Sequence, residues 1–415
     1  MKFWLYTLLR RAERYTKTDM VYLAKGGFWI NLNYVFGSLI SLLLSILFAY
    51  YLSKDLFGTY KYIISLAGIA VAFSLNGMNT AVTRAVAQGF EGAFKRSLLV
   101  QFRWIVPQVL VTLGLSAYYF FQENYVYGIC FLAITLLSPI GTIANTYGAF
   151  LQGKKAFMDS ALYGGISNLV YFLFVGGAVV FYPNLIVLIT AYYGAHALTN
   201  SFFCWKTLKK YQPKEEFREE DITYGKHGSF LNTFGILAAH IDSIVVYHLL
   251  GPTSLAIYSF ALLIPERLKF MFGFVSTVAL PKFSEKYAAG EEPDILRKTL
   301  QLLAIAAVLI VLYIIAAPFL FSWFFPQYSD SILYSQICSI SLLVIAANIP
   351  TSAIFAQGSK RGLYVYGILG PLFRVTVVVV SIYFFGLWGA VISRILSYFF
   401  QTCLSLILVR KTQSE

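Results

Sequence analysis

Five residues carry charge or a titratable ring where the neighbouring sequence is almost wholly apolar. They are His240 and Asp242 in AAHIDSIVV, Glu266 and Arg267 in LIPERLKF, and Arg374 in PLFRVTV. A guanidinium presents a planar fork of donors that grips a phosphate or carboxylate through two parallel bonds. An imidazole near carboxylates can take up and release a proton close to neutrality. Arg267 and Arg374 therefore read as the holders of an anionic group such as a phosphate. His240, Asp242 and Glu266 read as groups for proton or ion coupling. A buried ion-pair network that merely fixes helix packing, Asp242 or Glu266 with Arg267, is the competing reading.

A second stretch invites a different chemistry. GAFLQGKK, Gly148 to Lys155, is one hydroxyl short of a phosphate-cradling P-loop. That loop needs a preceding strand and a Ser or Thr for magnesium. Here an apolar helical stretch precedes it, and Lys155 stands where the hydroxyl should. FAQGSK at 355–360 repeats the element about 205 positions later without the first glycine. The element is thus expected to be a helix end, stopped by glycine and anchored by lysine at the membrane face. No ATP site and no cofactor are expected. Cys130, Cys204, Cys338 and Cys403 lie in apolar segments without pairing or metal-ligand spacing, so they read as packing residues.

The elements that must position these residues are membrane helices. Hydrophobic residues make up 58 % of the chain, charged residues only 12 %, and mean hydropathy is +0.69, far from the roughly one-quarter charged composition of soluble domains. A crossing helix needs ~20 apolar residues, and twelve such segments fit: 28–52, 60–80, 98–120, 125–151, 160–182, 185–205, 227–250, 254–280, 300–321, 331–356, 362–385 and 387–409. Residues 1–25 read as a cytoplasmic amphipathic segment, with Trp4, Leu8, Ala12 and Tyr15 at helical spacing and Arg10, Arg11 and Arg14 between them. With the N-terminus inside, the inner connections and tails hold 25 Lys plus Arg against two, Lys54 and Lys61, outside. That asymmetry places both termini in the cytoplasm. It also accounts for the net charge of +13 without nucleic acid, since no basic folded face exists. The outer connections are too short for a catalytic domain, which argues against an enzyme.

The chain reads as a unit written twice. AYYLSKDLFGTY (49–60) aligns with YHLLGPTSLAIY (247–258) at a shift of 198, and Phe150, Gln152, Gly153 and Lys155 fall on Phe355, Gln357, Gly358 and Lys360. The fold class expected is all-α and polytopic, twelve transmembrane helices in two parallel six-helix repeats. The first lobe covers 26–205, a cytoplasmic loop 206–226, the second lobe 227–409 and a short tail 410–415. Repeat-built transporters bind at the interface between repeats near mid-membrane. Polar stripes at helical spacing nominate cavity-lining residues: Asn31, Tyr34, Ser38 and Ser41 (with Ser45) in the first helix, Asn76 and Asn79 (with Ser65) in the second, and Asn145 (with Ser138) in the fourth. Helix packing through small hydroxyl residues competes with that reading, above all for the serines.

Depth sharpens the charged set. Counting 1.5 Å per residue from the cytoplasmic ends puts His240, Asp242, Glu266, Arg267 and Arg374 all at ~20–24 Å, one layer near the membrane centre. Arg103 and Arg394 lie only ~8–10 Å from a span end on the same count and are expected to snorkel. The spans hold five basic residues against two acidic ones, so positive charge remains after full pairing. Pro265 is expected to break or kink the helix at this layer.

The stretch from YLAKGG to LFGTYKY, followed by GMNTAVTRAVAQG, resembles the polysaccharide-biosynthesis, or oligosaccharide flippase, family of the multidrug/oligosaccharidyl-lipid/polysaccharide (MOP) exporter superfamily. The D…LG…A-x-Y…P-x-x-S pattern at Asp242, Leu250, Gly251, Ala256, Tyr258, Pro281 and Ser284 is similar to that family's, as are FLQGKK and GLWGA (386–390). The resemblance covers nearly the whole chain. It implies two six-helix lobes around a central cavity in the cell membrane. It also implies alternating-access transfer of an undecaprenyl- or other polyprenyl-(di)phosphate-linked glycan between leaflets, with membrane lipids as partners and H+ or Na+ as the coupling ion. The charged PERLK at 265–269 departs from the family's eighth helix. Rival readings are a drug/cation antiporter, which would want an acidic residue within the first-lobe spans, where the six segments assigned above hold none, and a lipid II-type flippase. A membrane glycan polymerase lacks the external loop it would need.

Overall fold

The structure is a computed structural model. It describes residues 20–272, 279, 283, 294–357 and 360–414, without the side chains of 20–27, 30, 31, 231, 270, 271, 355–357, 360–363 and 410–414. The amphipathic segment, Asn31's side chain, Pro281, Ser284 and the decisive part of FAQGSK lie outside that description.

No strand occurs among the described residues. The helices are α1 (Met20–Tyr51), α2 (Lys54–Ala72), α3 (Met78–Ala87), α4 (Gly92–Trp104), α5 (Val106–Phe121), α6 (Tyr125–Ala144) and α7 (Thr146–Gly153). They continue with α8 (Phe157–Phe181), α9 (Leu185–Tyr211), α10 (Glu219–Met271), α11 (Ile295–Phe324), α12 (Ser331–Cys338), α13 (Asn348–Gln357) and α14 (Lys360–Ser414). Short polar caps make the turns between them. Ser53 accepts the Leu56 N–H and starts α2, Asn124 accepts from Tyr127 and starts α6, and Asn184 accepts from Ile186 and starts α9, each covering an orphan donor of a first turn.

Two of the longest helices are hairpins. In α10 the backbone leaves helical geometry at Gly251 (φ 85°, ψ 173°), and in α14 at Gly386 (φ 57°, ψ −133°). A straight helix would separate residues 16 apart by ~24 Å. Yet the Tyr258 hydroxyl lies 3.0 Å from Asp242, and the rings of Phe373 and Phe400 stack at 4.0 Å. The chain therefore reverses at each glycine, in a region of φ/ψ space that side chains with a Cβ avoid. Helical geometry continues through Pro265, against the expected break there. A proline removes one backbone bond, and neighbouring helices in a bundle hold the rest.

Eight segments are long and apolar enough to cross a membrane among the described residues, two of them these hairpins. Outward faces carry Phe121 and Trp323 almost fully exposed, while Ser97, Ser331, Ser335 and Ser393 are sealed inside. That inversion suits lipid, where small hydroxyl residues let helices approach.

Packing divides the chain into two units that do not follow its midpoint. One gathers Met1–Leu47 with Ser74–Ser229, the other Phe48–Phe73 with Phe230–Glu415. In the second unit α2 lies along the first arm of α10. Tyr62 stacks on Tyr247 at 3.8 Å, Thr233 donates to the Ala72 carbonyl, and a Cβ at Gly68 would stand 2.3 Å from the His240 ring. At the far end of α2, a Cβ at Gly58 would fall 1.9 Å from the Pro252 carbonyl, so only glycine permits that approach.

Candidate functional site

The two hairpins bring the intraspan charges together in the second unit. The first arm of α10 carries Asp242, and its second arm carries Tyr258, Glu266 and Lys269. The arms of α14 carry Arg374, and Arg394 with Tyr398. Asp242 Oδ2 accepts from Tyr258 Oη at 3.0 Å, Arg374 at 3.0 Å and Arg394 at 2.6 Å. Arg394 forks: its other nitrogens donate to Glu266 Oε1 at 2.6 and 3.2 Å. Glu266 also pairs with Lys269, whose ammonium donates to Tyr398 Oη at 2.7 Å.

Arg394 thus bridges both carboxylates. It does not snorkel, contrary to the expectation from its depth. Its side chain is 11 % exposed, because both of its faces are taken by carboxylates rather than by the membrane surface. Asp242 and Glu266 form ion pairs with Arg374, Arg394 and Lys269. Lys61 is corrected as well. It belongs to the second turn of α2, and its charge reaches Arg267 and His240. Asp242, Lys61 and Arg374 are the charged groups whose fields reach His240.

Three cations against two carboxylates leave this network positive before Arg267 and Lys61 are added. It has a dry end and a wet end. The side chains of Asp242, Arg374 and Arg394 are 3, 10 and 11 % exposed, whereas Glu266 and Lys269 are 31 and 25 % exposed. Lys269 and Tyr398 border a cavity of about 290 Å³, completed by Asn348, Thr351 and Tyr366. Arg374 Nε is buried without a hydrogen-bond partner. Such a donor costs about 1–3 kcal/mol unless something accepts from it.

The first unit holds a larger cavity, about 530 Å³, between α3 and α7. Asn79, Thr80, Thr83, Arg84, Asn145, Gly148 and Gln152 border it. Of the polar stripe residues, Asn79 and Asn145 are here. Asn76 instead bonds Ser74 in the turn after α2, Tyr34 is half exposed, Ser38 and Ser41 are partly buried, and Ser45, Ser65 and Ser138 are buried in packing.

FLQGKK is a helix end, but not one stopped by its glycine. The left-handed residue is Lys155 (φ 60°), with its N–H on Gln152 and that of Ala156 on Leu151, a Schellman closure. Gly153 lies inside α7, where a Cβ would stand 2.7 Å from Val86 and 2.8 Å from the Thr83 carbonyl. Its bareness serves the contact with α3.

A model of polysaccharide biosynthesis proteins matches residues 23–287, well over half of the chain. The protein belongs to that family. Among solved structures it is similar to an inward-facing multidrug resistance MATE transporter of the MOP superfamily (TM-score 0.72, 13 % identity, 91 % of this chain and 96 % of that one). It is also similar to the lipid II flippase MurJ in an inward closed conformation (0.66, 14 %, 93 % and 87 %). A third is a MOP superfamily transporter from Pyrococcus furiosus described as having a binding pocket of reverse polarity (0.58, 12 %, 94 % and 95 %). At these identities the likeness is one of fold. No curated protein matches.

Lys269, Arg394, Tyr258 and Tyr398 were missed as site residues by the sequence reading. One signal was available: two carboxylates inside apolar spans need cations, and Arg394 and Lys269 were among the five present.

Proposed function

We propose that the protein is a flippase of the cell membrane. It carries a polyprenyl-(di)phosphate-linked sugar or oligosaccharide from the inner to the outer leaflet by alternating access, for surface polysaccharide assembly. The observation that carries this reading is the surplus of positive charge at the buried network of the second unit. A headgroup phosphate would meet Arg374 through its unsatisfied Nε, together with Arg267. The glycan would use the polar path while its lipid tail stays in the bilayer. Twelve spans with both termini inside fit the loop charges. His240, Asp242 and Glu266 stand beside these cations, which suits coupling to H+ or Na+. The fold likeness to MATE transporters keeps a drug/cation antiporter as the second reading, against which stands the confinement of acidic residues in the apolar spans ahead of α10 to Asp159 in the first turn of α8. The test is a leaflet assay of the lipid-linked sugar in cells. Arg374→Ala at normal abundance should abolish its outer-leaflet arrival, and unchanged arrival would sink the site. Efflux of cationic dyes with no lipid-linked sugar transfer would replace the flippase with the antiporter.

A further inference from the structure

The polar side chains of the first unit fall into two groups. Gln101 donates to Thr146, Gln108 to Ser138, and Ser116 to the Gly128 carbonyl, so these are consumed in packing. Thr80, Arg84, Asn145 and Gln152 border the 530 Å³ cavity instead, and among the described residues their side chains have no hydrogen-bond partner. Asn79 Oδ1, also bordering it, is buried without one. Arg84 lies over the Tyr224 ring at 5.0 Å, a cation–π contact that uses its charge and none of its N–H donors.

The walls are fixed. Thr83 Oγ1 donates to the Ala149 carbonyl of α7, and Gly153 lets α3 and α7 close together below it. The second half of the chain supplies an internal control. Ala-Asn precedes the F-x-Q-G element in both copies, at 144–145 and 347–348. Asn348 spends its amide on the Phe272 carbonyl, whereas Asn145 leaves its own open. Asn348 borders the cavity of the second unit as well, so an asparagine ahead of the element lines a cavity in both copies, and only in the first is its amide uncommitted.

One cation beside three amides and a hydroxyl is a donor and acceptor set for an anion joined to a hydroxyl-rich ring. The volume lies within the roughly 300–1,000 Å³ usual for ligand pockets. We infer that this cavity is a recognition subsite for a glycosyl phosphate, with Arg84 on the phosphate and Asn79, Asn145 and Gln152 on the sugar hydroxyls. The subsite deepens the flippase reading and rests on it. It also gives the first unit a part in selecting the substrate, separate from the charged network of the second.

Gly148 makes the test clean, because a Cβ there meets nothing within 4 Å. A photo-crosslinking benzoylphenylalanine placed at Gly148 in the cells that make the protein should trap an adduct whose mass contains a phosphate and sugar units. A retained prenyl chain marks the lipid-linked source, and its lack marks a soluble glycosyl phosphate; both support the subsite. A glycerophospholipid adduct, or none, overturns it. In the leaflet assay Gly148→Leu should fill the cavity and cut transfer at least ~10-fold at normal abundance. Arg84→Gln should do the same, with partial recovery in Arg84→Lys, as expected for a charge-assisted bond. Undiminished transfer in Gly148→Leu overturns the subsite and leaves the flippase reading standing. A wild-type protein that transfers no lipid-linked sugar removes the flippase reading itself.

Discussion

Tyr258 donates its hydroxyl to Asp242 at 3.0 Å although sixteen positions of α10 separate them. That bond exists because Gly251 folds α10 back on itself. It ties the hairpin to the charge network, since the same Asp242 oxygen takes Arg374 and Arg394. Tyr258→Phe should lower stability by about 1.5–3 kcal/mol, the range for a bond to a charged group. Arg394→Leu, which removes the cation shared by both carboxylates and leaves them Arg374 and Lys269, should cost more, up to about 3–5 kcal/mol. Thermal unfolding of the purified protein measures both, and equal losses would contradict the central place of Arg394.

Gly251→Ala and Gly386→Ala each force a Cβ into backbone geometry that it avoids, costing about 1–3 kcal/mol apiece. Both should lower the unfolding temperature without touching any charged residue. A neutral result at either position would mean the reversal does not require that geometry.

Two glycines five residues apart on α7 should behave oppositely. Gly153→Val drives a side chain into Val86 and Thr83 and should destabilise by about 1–3 kcal/mol. Gly148→Ala, facing open space, should gain up to about 1 kcal/mol from helix propensity. Matching melting temperatures for the pair would rule out the close α3–α7 contact.

Lys269, 25 % exposed, is the network cation nearest to open space, and Arg374 is 10 % exposed. Lys269→Gln should therefore reduce leaflet transfer by ~10-fold or more, the scale of one charge-assisted bond, with less loss of stability than Arg374→Gln. Arg103→Gln, exposed on α4, should leave transfer as it was. Transfer that survives Lys269→Gln but fails in Arg103→Gln would invert this assignment.

In the first turn of α8, Asp159 accepts from Lys210 at 2.5 Å and from Tyr211. The bond to the Asp159 carboxylate raises the Lys210 pKa. Its contribution is present below the pKa of an unfolded lysine and is lost as pH rises through the higher folded value. On so exposed a pair it is worth under about 1 kcal/mol. The melting temperatures of wild type and Asp159→Asn should differ at pH 8, and the gap should narrow as pH rises past the raised Lys210 pKa; a gap that widens with pH would be the wrong sign.

The sequence by itself determined the solvent. Apolar run lengths and the one-sided distribution of Lys and Arg are local quantities, and a bilayer reads them locally, so the helical, polytopic class was legible. Both hairpin glycines were also visible, Gly251 in LLGPTS and Gly386 in FGLWGA, though not the conformation that makes them necessary. Asn79 and Asn145 stand out in the sequence because polarity in an apolar span is costly wherever it occurs. Tertiary structure alone decided the pairings. Depth along a helix does not say which face a side chain takes or which arm returns beside it, so Arg394 looked able to snorkel and Lys61 looked like a loop residue. Likewise FLQGKK showed that a helix ends, but whether Gly153 caps that helix or admits a neighbour depends on where α3 lies. That is a contact, and composition and spacing carry no record of it.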